Sequence, residues 1–379
     1  MNISKKALVI GMYPKEANPQ FALKLVDALD SIGYDTYAII PANIDNIDQW
    51  NKYVNCGHVF FVHNEKGSGV VARIRKYTNI ARYITIDRQK MKGFLKDIRF
   101  DLTFFTFYHR WNELVMREID SRKFIAFLHD PKVHSGTDSV IQAREIAQMQ
   151  KMDDVIVLSK KFITLTEKNY HIDKRHIHYM PHCLFYGTKN VLEADEHLND
   201  STPINFLFFG RITEYKGIDI LLSAYHNLEQ YNSNVHLTIA GNGDFSKYKG
   251  IFDTCKNSML INRYINEDEI PKIFNQENTV VVLPYTDATQ SGVISIAYSF
   301  GCPVISSDTG GLREQLCDGE CGLFFEPNNS IALEKTMNII EKNRLIMHEE
   351  TIKMINQSKK FDWIVATKDV IRDINEEVR

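Results

Sequence analysis

What most constrains this chain is an alternation that runs twice. Short apolar runs rich in β-formers alternate with helical patterns, stop at a polar stretch near the middle, and restart. In the first half the strand candidates are 7–10, 36–40, 59–62, 102–105, 124–128 and 155–158. Each is brief and bounded by polar or turn residues, as parallel strands buried on both faces require. Between the first two, Phe21, Leu25, Ala28, Leu29 and Ile32 share one face of a helix over 20–32, which Gly33 ends. Strand, helix, strand is a βαβ unit, and its repetition predicts a doubly wound α/β sheet. Residues 187–203 are polar and lack periodicity, so they read as a linker. Beyond them 206–209, 235–240, 279–283, 303–306 and 323–325 read as strands. A helix over 217–230 turns Ile218, Leu221, Leu222, Tyr225 and Leu228 inward. Two α/β domains follow, over 1–190 and 203–360, with a helical segment at 360–379.

Composition narrows the classes. The 379 residues suit two or three domains, and 44% hydrophobic with 25% charged residues excludes disorder, collagen-like repetition or coiled coil as the main state. The formal charge of -3 excludes a nucleic-acid polycation. It conceals a split: residues 1–190 hold 28 Lys and Arg against 20 Asp and Glu, and the remainder 17 against 28. The basic excess peaks at 71–99, with Arg73, Arg75, Lys76, Arg82, Arg88, Lys90, Lys92, Lys96 and Arg99 interleaved by Tyr77, Tyr83, Met91 and Phe94. No nucleic-acid motif accompanies it, so it reads as a solvated helix or a contact with an anionic membrane surface. The six cysteines are scattered, and the close pair Cys317 and Cys321 has no His or second pair beside it, so no metal is expected. No apolar run approaches the ~18 residues of a spanning helix. The expectation is a reducing cytoplasm, with any membrane contact peripheral on the inner face.

Ligands of open α/β sheets bind outside the carboxyl ends of the strands. Four places there carry chemistry in the second half. The first runs from Gly210 to Gly217, where Arg211 and Lys216 place two cations at a sheet mouth, fit to neutralise a diphosphate, or form a solvated loop with one incidental ion pair. Gly241-Asn242-Gly243 is a turn that permits close backbone approach, and by itself an ordinary turn. Arg263 and Tyr264 offer a guanidinium and a ring that can stack on a base, or an exposed surface strand. Tyr285 leads into Thr289-Gln290-Ser291-Gly292-Val293, where Thr289 or Ser291 can cap a helix whose free amides bind an anion. In the first half, a strand delivers His129 at its carboxyl end, where a neutral imidazole can donate to a sugar hydroxyl or a backbone group. Asn18 and Gln20 lie at the first strand-to-helix loop. Tyr108, His109 and Arg110 follow another strand, and His134 lies just beyond His129, so these can line an acceptor groove.

The ordered set is similar to a known family. It comprises Asn18 to Phe21, His129-Asp130-Pro131, Pro181-His182, Gly210-Arg211 through Lys216-Gly217, and Gly241-Asn242-Gly243. It continues with Leu283-Pro284-Tyr285, Thr289 to Val293, and Phe300-Gly301-Cys302-Pro303-Val304-Ile305 through Thr309-Gly310-Gly311. Together these resemble the GT-B retaining glycosyltransferases of family 4, of the bacterial polysaccharide-assembly kind. The resemblance implies two Rossmann-like doubly wound domains facing across a cleft. The donor, a UDP- or GDP-linked sugar, sits mostly on the second domain, and a glycan or lipid-linked acceptor on the first. It implies that Arg211 and Lys216 hold the diphosphate and that the loop at Arg263 and Tyr264 lies by the base. Ser291, Gly292 and Val293 offer amides to the distal phosphate, and His129 lies near the donor sugar. It implies a metal-independent, hexosyltransferase-like enzyme without a cofactor, and a last helix over 361–379 that returns to the first domain. Many members carry two Glu where this chain has Ala288 and Ile296. That departure motivates a second reading, a catalytically silent nucleotide-binding partner subunit of the same fold. A nucleotide-sugar epimerase on this fold fits the pattern less well.

Overall fold

The computed structural model describes residues 5–15, 18–63, 78, 81–132, 139–186 and 202–376, the side chains of 83, 84 and 139 excepted. The chain divides into two compact units, Met1–Met180 with Trp363–Arg379, and Pro181–Asp362. The expected linker at 187–203 lies outside the described residues up to 201.

Unit 1 holds a seven-stranded parallel sheet. Its strands are β1 (Lys6–Ile10), β2 (Asp35–Pro41), β3 (Val59–Val62), β4 (Arg99–Phe105), β5 (Asp120–Leu128), β6 (Asp154–Val157) and β7 (Ile177–Tyr179), in the order β3-β2-β1-β4-β5-β6-β7. Unit 2 holds six: β8 (Ile204–Phe209), β9 (Val235–Gly241), β10 (Ser258–Asn262), β11 (Thr279–Leu283), β12 (Val304–Ser307) and β13 (Leu323–Phe325), in the order β10-β9-β8-β11-β12-β13. Both sheets are doubly wound. The order reverses between β1 and β4 and between β8 and β11, the two places where such sheets open a crevice for ligands. β11 is buried at all five residues and β8 at all but its last, because helices cover both faces.

Two edge strands, β7 and β10, are absent from the sequence reading. β7 is three residues of mixed polarity, and β10 alternates half-buried and exposed positions, so neither shows the apolar run of a central strand. The unit boundary also falls earlier than the periodicity suggests. Leu184 N donates to Phe361 O at 3.0 Å, Ser299 Oγ to Tyr186 O at 3.0 Å, and Leu184 is buried in the unit 2 core. The helix Trp363–Glu376 lies in unit 1 against the helix Asn18–Ser31, with the Trp363 and Phe21 rings edge to face at 4.9 Å. Lys123 Nζ secures its far end by donating to Ile374 O at 3.1 Å.

Candidate functional site

The candidate site gathers at the switch point of unit 2, on the loops that leave β8, β9 and β11. β8 ends at Gly210 with φ +126, and its loop runs beside the one that leaves β9. Gly210 N donates to Ala240 O at 3.0 Å and Ile212 N to Asn242 O at 2.9 Å. A Cβ on Gly241 would collide with the Gly210 carbonyl, and one on Gly243 with the Ile212 carbonyl. The space where their Cβ atoms would stand is thus filled by the chain itself. Asn262 closes the turn, with Gly243 N donating to its Oδ1 at 3.3 Å and its Nδ2 to Gly243 O at 3.2 Å. Asn242 itself is exposed.

The loop after Arg211 folds back onto the exit of β11. Gly217, at φ +63, sits where a Cβ would strike the Pro284 carbonyl, and Thr286 N donates to Tyr215 O at 2.8 Å. This stitch lays Lys216 Nζ over the Tyr285 ring, 3.6 Å from its centroid. Lys216 is half-buried and Arg211 exposed, and among the described residues neither has a carboxylate within ion-pair distance. The neighbouring Glu214 pairs instead with Lys247 at 3.1 Å. Burial first, and the Arg211 charge second, pull the Lys216 ammonium down to about 7. Two neighbouring cations, with no carboxylate paired to them among the described residues, leave uncompensated positive charge on this loop.

Its other wall is the start of the helix Gly292–Phe300. Ser291, not Thr289, is the cap: its Oγ accepts from Val293 N at 3.3 Å and pairs with Tyr285 OH at 3.2 Å. Gln315 holds the cap from both sides, its Oε1 accepting from Ser291 N at 2.7 Å and its Nε2 donating to Ser291 O at 3.1 Å. Tyr285 is fully buried beneath Lys216. It is the platform that links Lys216 to the helix cap. Thr289, Ser291 and Val293 are buried, whereas Gln290 and Gly292 are half-buried at the rim. Gly310, at φ +54, lets the loop after β12 rest on the Ala288 carbonyl, and Gly311 N donates to Thr289 O at 3.0 Å. Ala288 and Ile296 are buried in the apolar core of the unit.

Two groups here escaped the sequence reading. Gln315 carries no local signal, since nothing in the sequence relates it to Ser291. His182 is visible only as part of a motif. In the structure its Nδ1 lies 2.8 Å from Ser295 Oγ, and a Cβ on Gly292 would touch its Nε2 edge at 3.8 Å. Burial depresses its pKa to about 4, so the ring is neutral at the helix start. Arg263 stands exposed in the loop after β10. Its guanidinium is forked onto Glu269 at 2.9 Å and 2.5 Å and donates to Tyr264 O at 3.0 Å, so its donors serve its own loop. Tyr264 is exposed.

The switch point of unit 1 is different. His129 Nε2 lies 2.8 Å from Thr106 O, and since a carbonyl only accepts, that nitrogen carries the hydrogen. The ring is stacked on Phe107 at 3.8 Å, with Phe21 edge-on at 4.9 Å. One donor of His129 is therefore committed to the backbone. His109 accepts from Trp111 N at 3.3 Å and meets the Tyr13 ring at 5.3 Å. Burial, aided by Arg110, lowers it to about 4. Arg110 is exposed beside Trp111, and Tyr108 is half-buried. Asn18 Nδ2 donates to Lys15 O at 3.2 Å. Gln20 is buried and donates to Gln49 Oε1 at 3.0 Å, so its side chain supports the helix from beneath instead of lining a groove. His134 lies outside the described residues, as do Arg73, Arg75, Lys76 and Tyr77 of the basic stretch. In the described part of that stretch, Arg88 and Lys92 both pair with Glu118, Arg82 with Asp87 and Arg99 with Asp120. Met91 is fully buried and Phe94 packs on Tyr37 and Phe60, the pattern of an ordinary amphipathic helix. No helix among the described residues is long and apolar enough to cross a membrane.

Comparison with known proteins agrees with the geometry of unit 2. Residues 192–361 match the family described as glycosyl transferases group 1. An uncharacterized glycosyltransferase of Methanocaldococcus jannaschii is 29% identical over 38% of this chain and 41% of its own. A phosphatidyl-myo-inositol mannosyltransferase of Mycobacterium leprae is 25% identical over 44% of this chain and 45% of its own. The chain thus spans about half the length, or less, of these curated relatives. Among solved structures, the Thermosynechococcus elongatus sucrose-phosphate synthase has a TM-score of 0.72 at 16% identity, covering 98% of both chains. Anabaena HepE, solved with UDP and glucose, has a TM-score of 0.68 at 15% identity, covering 98% of this chain and 100% of its own. The fold is GT-B, two Rossmann-like α/β units with parallel sheets.

Proposed function

We propose that the chain is a retaining, family 4 glycosyltransferase that moves a sugar from a nucleotide-diphosphate donor to a glycan or lipid-linked acceptor. The observation that carries this reading is the half-buried Lys216, unpaired among the described residues, over Tyr285 beside Arg211 and the capped helix start. That arrangement suits a leaving diphosphate. As the bond from the anomeric carbon to the diphosphate oxygen breaks, negative charge grows where two cations and a helix N-terminus already stand. The acceptor oxygen forms the new bond, and its proton passes to the departing diphosphate. Retention follows if attack comes from the face the diphosphate leaves. Arg211, Lys216 and the helix supply the countercharge, so transfer should survive chelation of divalent metals. The acceptor class draws support from relatives named as a phosphatidyl-myo-inositol mannosyltransferase and a lipopolysaccharide N-acetylglucosaminetransferase. HepE was solved with UDP, which makes UDP the first probe and GDP the second.

The test is calorimetric titration with UDP and GDP, then a panel of their sugars with detection of freed nucleotide. Saturable binding of one nucleotide, with its release from one sugar donor, is expected. Tight binding without release across donors and acceptors would favour the silent partner subunit, which the apolar Ala288 and Ile296 motivate. Absence of nucleotide binding would overturn the diphosphate site itself.

A further inference from the structure

At the opposite edge of unit 2 stands a group of side chains that the site above does not use. The helix Ile218–Glu229 leaves the carboxyl end of β8 and runs back, so its last turn lies at the amino ends of β9 and β10. His226 and Glu229, one turn apart, share a face there. Cys255, three residues before β10, faces them, and one ligand atom from each of the three lies within 4.8 Å of the others. Among the described residues this is the one such trio of His, Cys and carboxylate groups.

The Glu229 carboxylate is the telling member. Its side chain is 2% exposed, and its Oε2 accepts from Lys256 N at 2.9 Å. Its Oε1 is buried without a hydrogen-bond partner and has only the His226 Nδ1 edge at 3.7 Å. A buried carboxylate oxygen left unmatched is costly, and a cation is what it lacks. Cys255 is buried, its thiol donating to Ile251 O at 3.5 Å, and His226 Nδ1 lies 3.1 Å from Thr254 Oγ1, which leaves its Nε2 as the nitrogen without a hydrogen-bond partner among the described residues. His226 is 37% exposed, which gives an ion a path in and leaves room for water as a fourth ligand.

We propose that His226, Glu229 and Cys255 bind a divalent transition metal of the zinc type, clamping the end of the helix Ile218–Glu229 to the segment before β10. One imidazole nitrogen, one carboxylate oxygen and one sulfur suit a borderline-soft ion, and an all-oxygen ion such as magnesium or calcium would not recruit the sulfur. The Cys255 thiol binds as the thiolate and releases its proton to solvent. The site lies at the edge of the sheet remote from Lys216, so the role is structural.

Cobalt(II) titration of the full chain under reducing conditions, without nucleotide, tests this. Thiolate coordination gives a near-ultraviolet charge-transfer band. The expected result is a band saturating at one ion per chain, displaced by zinc, abolished in Cys255→Ser and kept in Cys321→Ser. His226→Ala sits at a half-exposed position and should fold normally, so it guards against misfolding of the cysteine variant. It should weaken zinc binding by about tenfold or more. Zinc should raise the melting temperature of the parent chain and not of His226→Ala with Glu229→Gln. Absence of saturable cobalt and zinc binding would overturn the site, as would a band unchanged in both Cys255→Ser and His226→Ala.

Discussion

The two sheet edges share one strand order and diverge in chemistry. At the β8/β11 edge of unit 2, glycines bring loops together, a buried amide clamps a helix cap, and two cations have no ion-pair partner among the described residues. At the β1/β4 edge of unit 1 the lining is aromatic: Phe21, Phe107 and Phe127 surround His129, Tyr13 packs edge-on against Phe107 and His109, and the imidazoles are held by backbone groups. One edge carries two neighbouring cations and a capped helix start, and the other presents aromatic rings. Topology fixes where a ligand enters, and the loop residues fix what it can be.

The largest effect that could break this contrast is in anion binding. Lys216→Ala or Arg211→Ala should each weaken nucleotide-diphosphate binding and transfer by about 10²–10³-fold with the fold intact, by the magnitude of a lost transition-state charge partner. His129→Ala and His109→Asn should leave nucleotide affinity within about twofold if the edges are chemically separate. Equal losses at both edges in calorimetry would erase the distinction. Gln315→Ala comes next. It strands both backbone groups of Ser291 and should cost about 1–3 kcal/mol in chemical denaturation, together with a weaker anion site.

Proton linkage is a finer probe. Lys216 titrates near 7 in the free protein, and a bound diphosphate favours its charged form and raises that pKa. Nucleotide affinity should therefore be flat below about pH 7 and fall above it, with up to one proton taken up per nucleotide at pH 8. Calorimetry in buffers of different ionisation enthalpy reads this uptake, and Lys216→Arg should abolish it because guanidinium stays charged. The smallest effect lies in unit 1. His109 is neutral down to about pH 4 in the native state, whereas its unfolded counterpart protonates near 6.5. The unfolded chain thus binds more protons between these values, and stability falls as pH drops through that window. The slope from one group is at most about 1.4 kcal/mol per pH unit. His109→Asn, whose Oδ1 can still accept from Trp111 N, should flatten that slope in denaturation measured from pH 7 to 4.

Much of this was legible in the chain itself. The β8 and β11 strands, the glycine stops at Gly33 and Gly301, and the charges of Arg211 and Lys216 are local features, set by apolar period, backbone freedom and residue type. So the doubly wound class was readable, because a βαβ repeat admits few topologies. Tertiary structure alone decided the partners. Gln315 meets Ser291, Tyr285 is buried beneath Lys216, Arg263 turns to Glu269, and Cys255 reaches His226 and Glu229. Apart from Arg263 and Glu269, which share one loop, those pairings depend on which loops the sheet order makes neighbours, and no local period encodes them. The glycines of Gly241-Asn242-Gly243 show the limit most simply. Their presence announces a close approach, and only the folded chain shows that the approaching group is its own backbone.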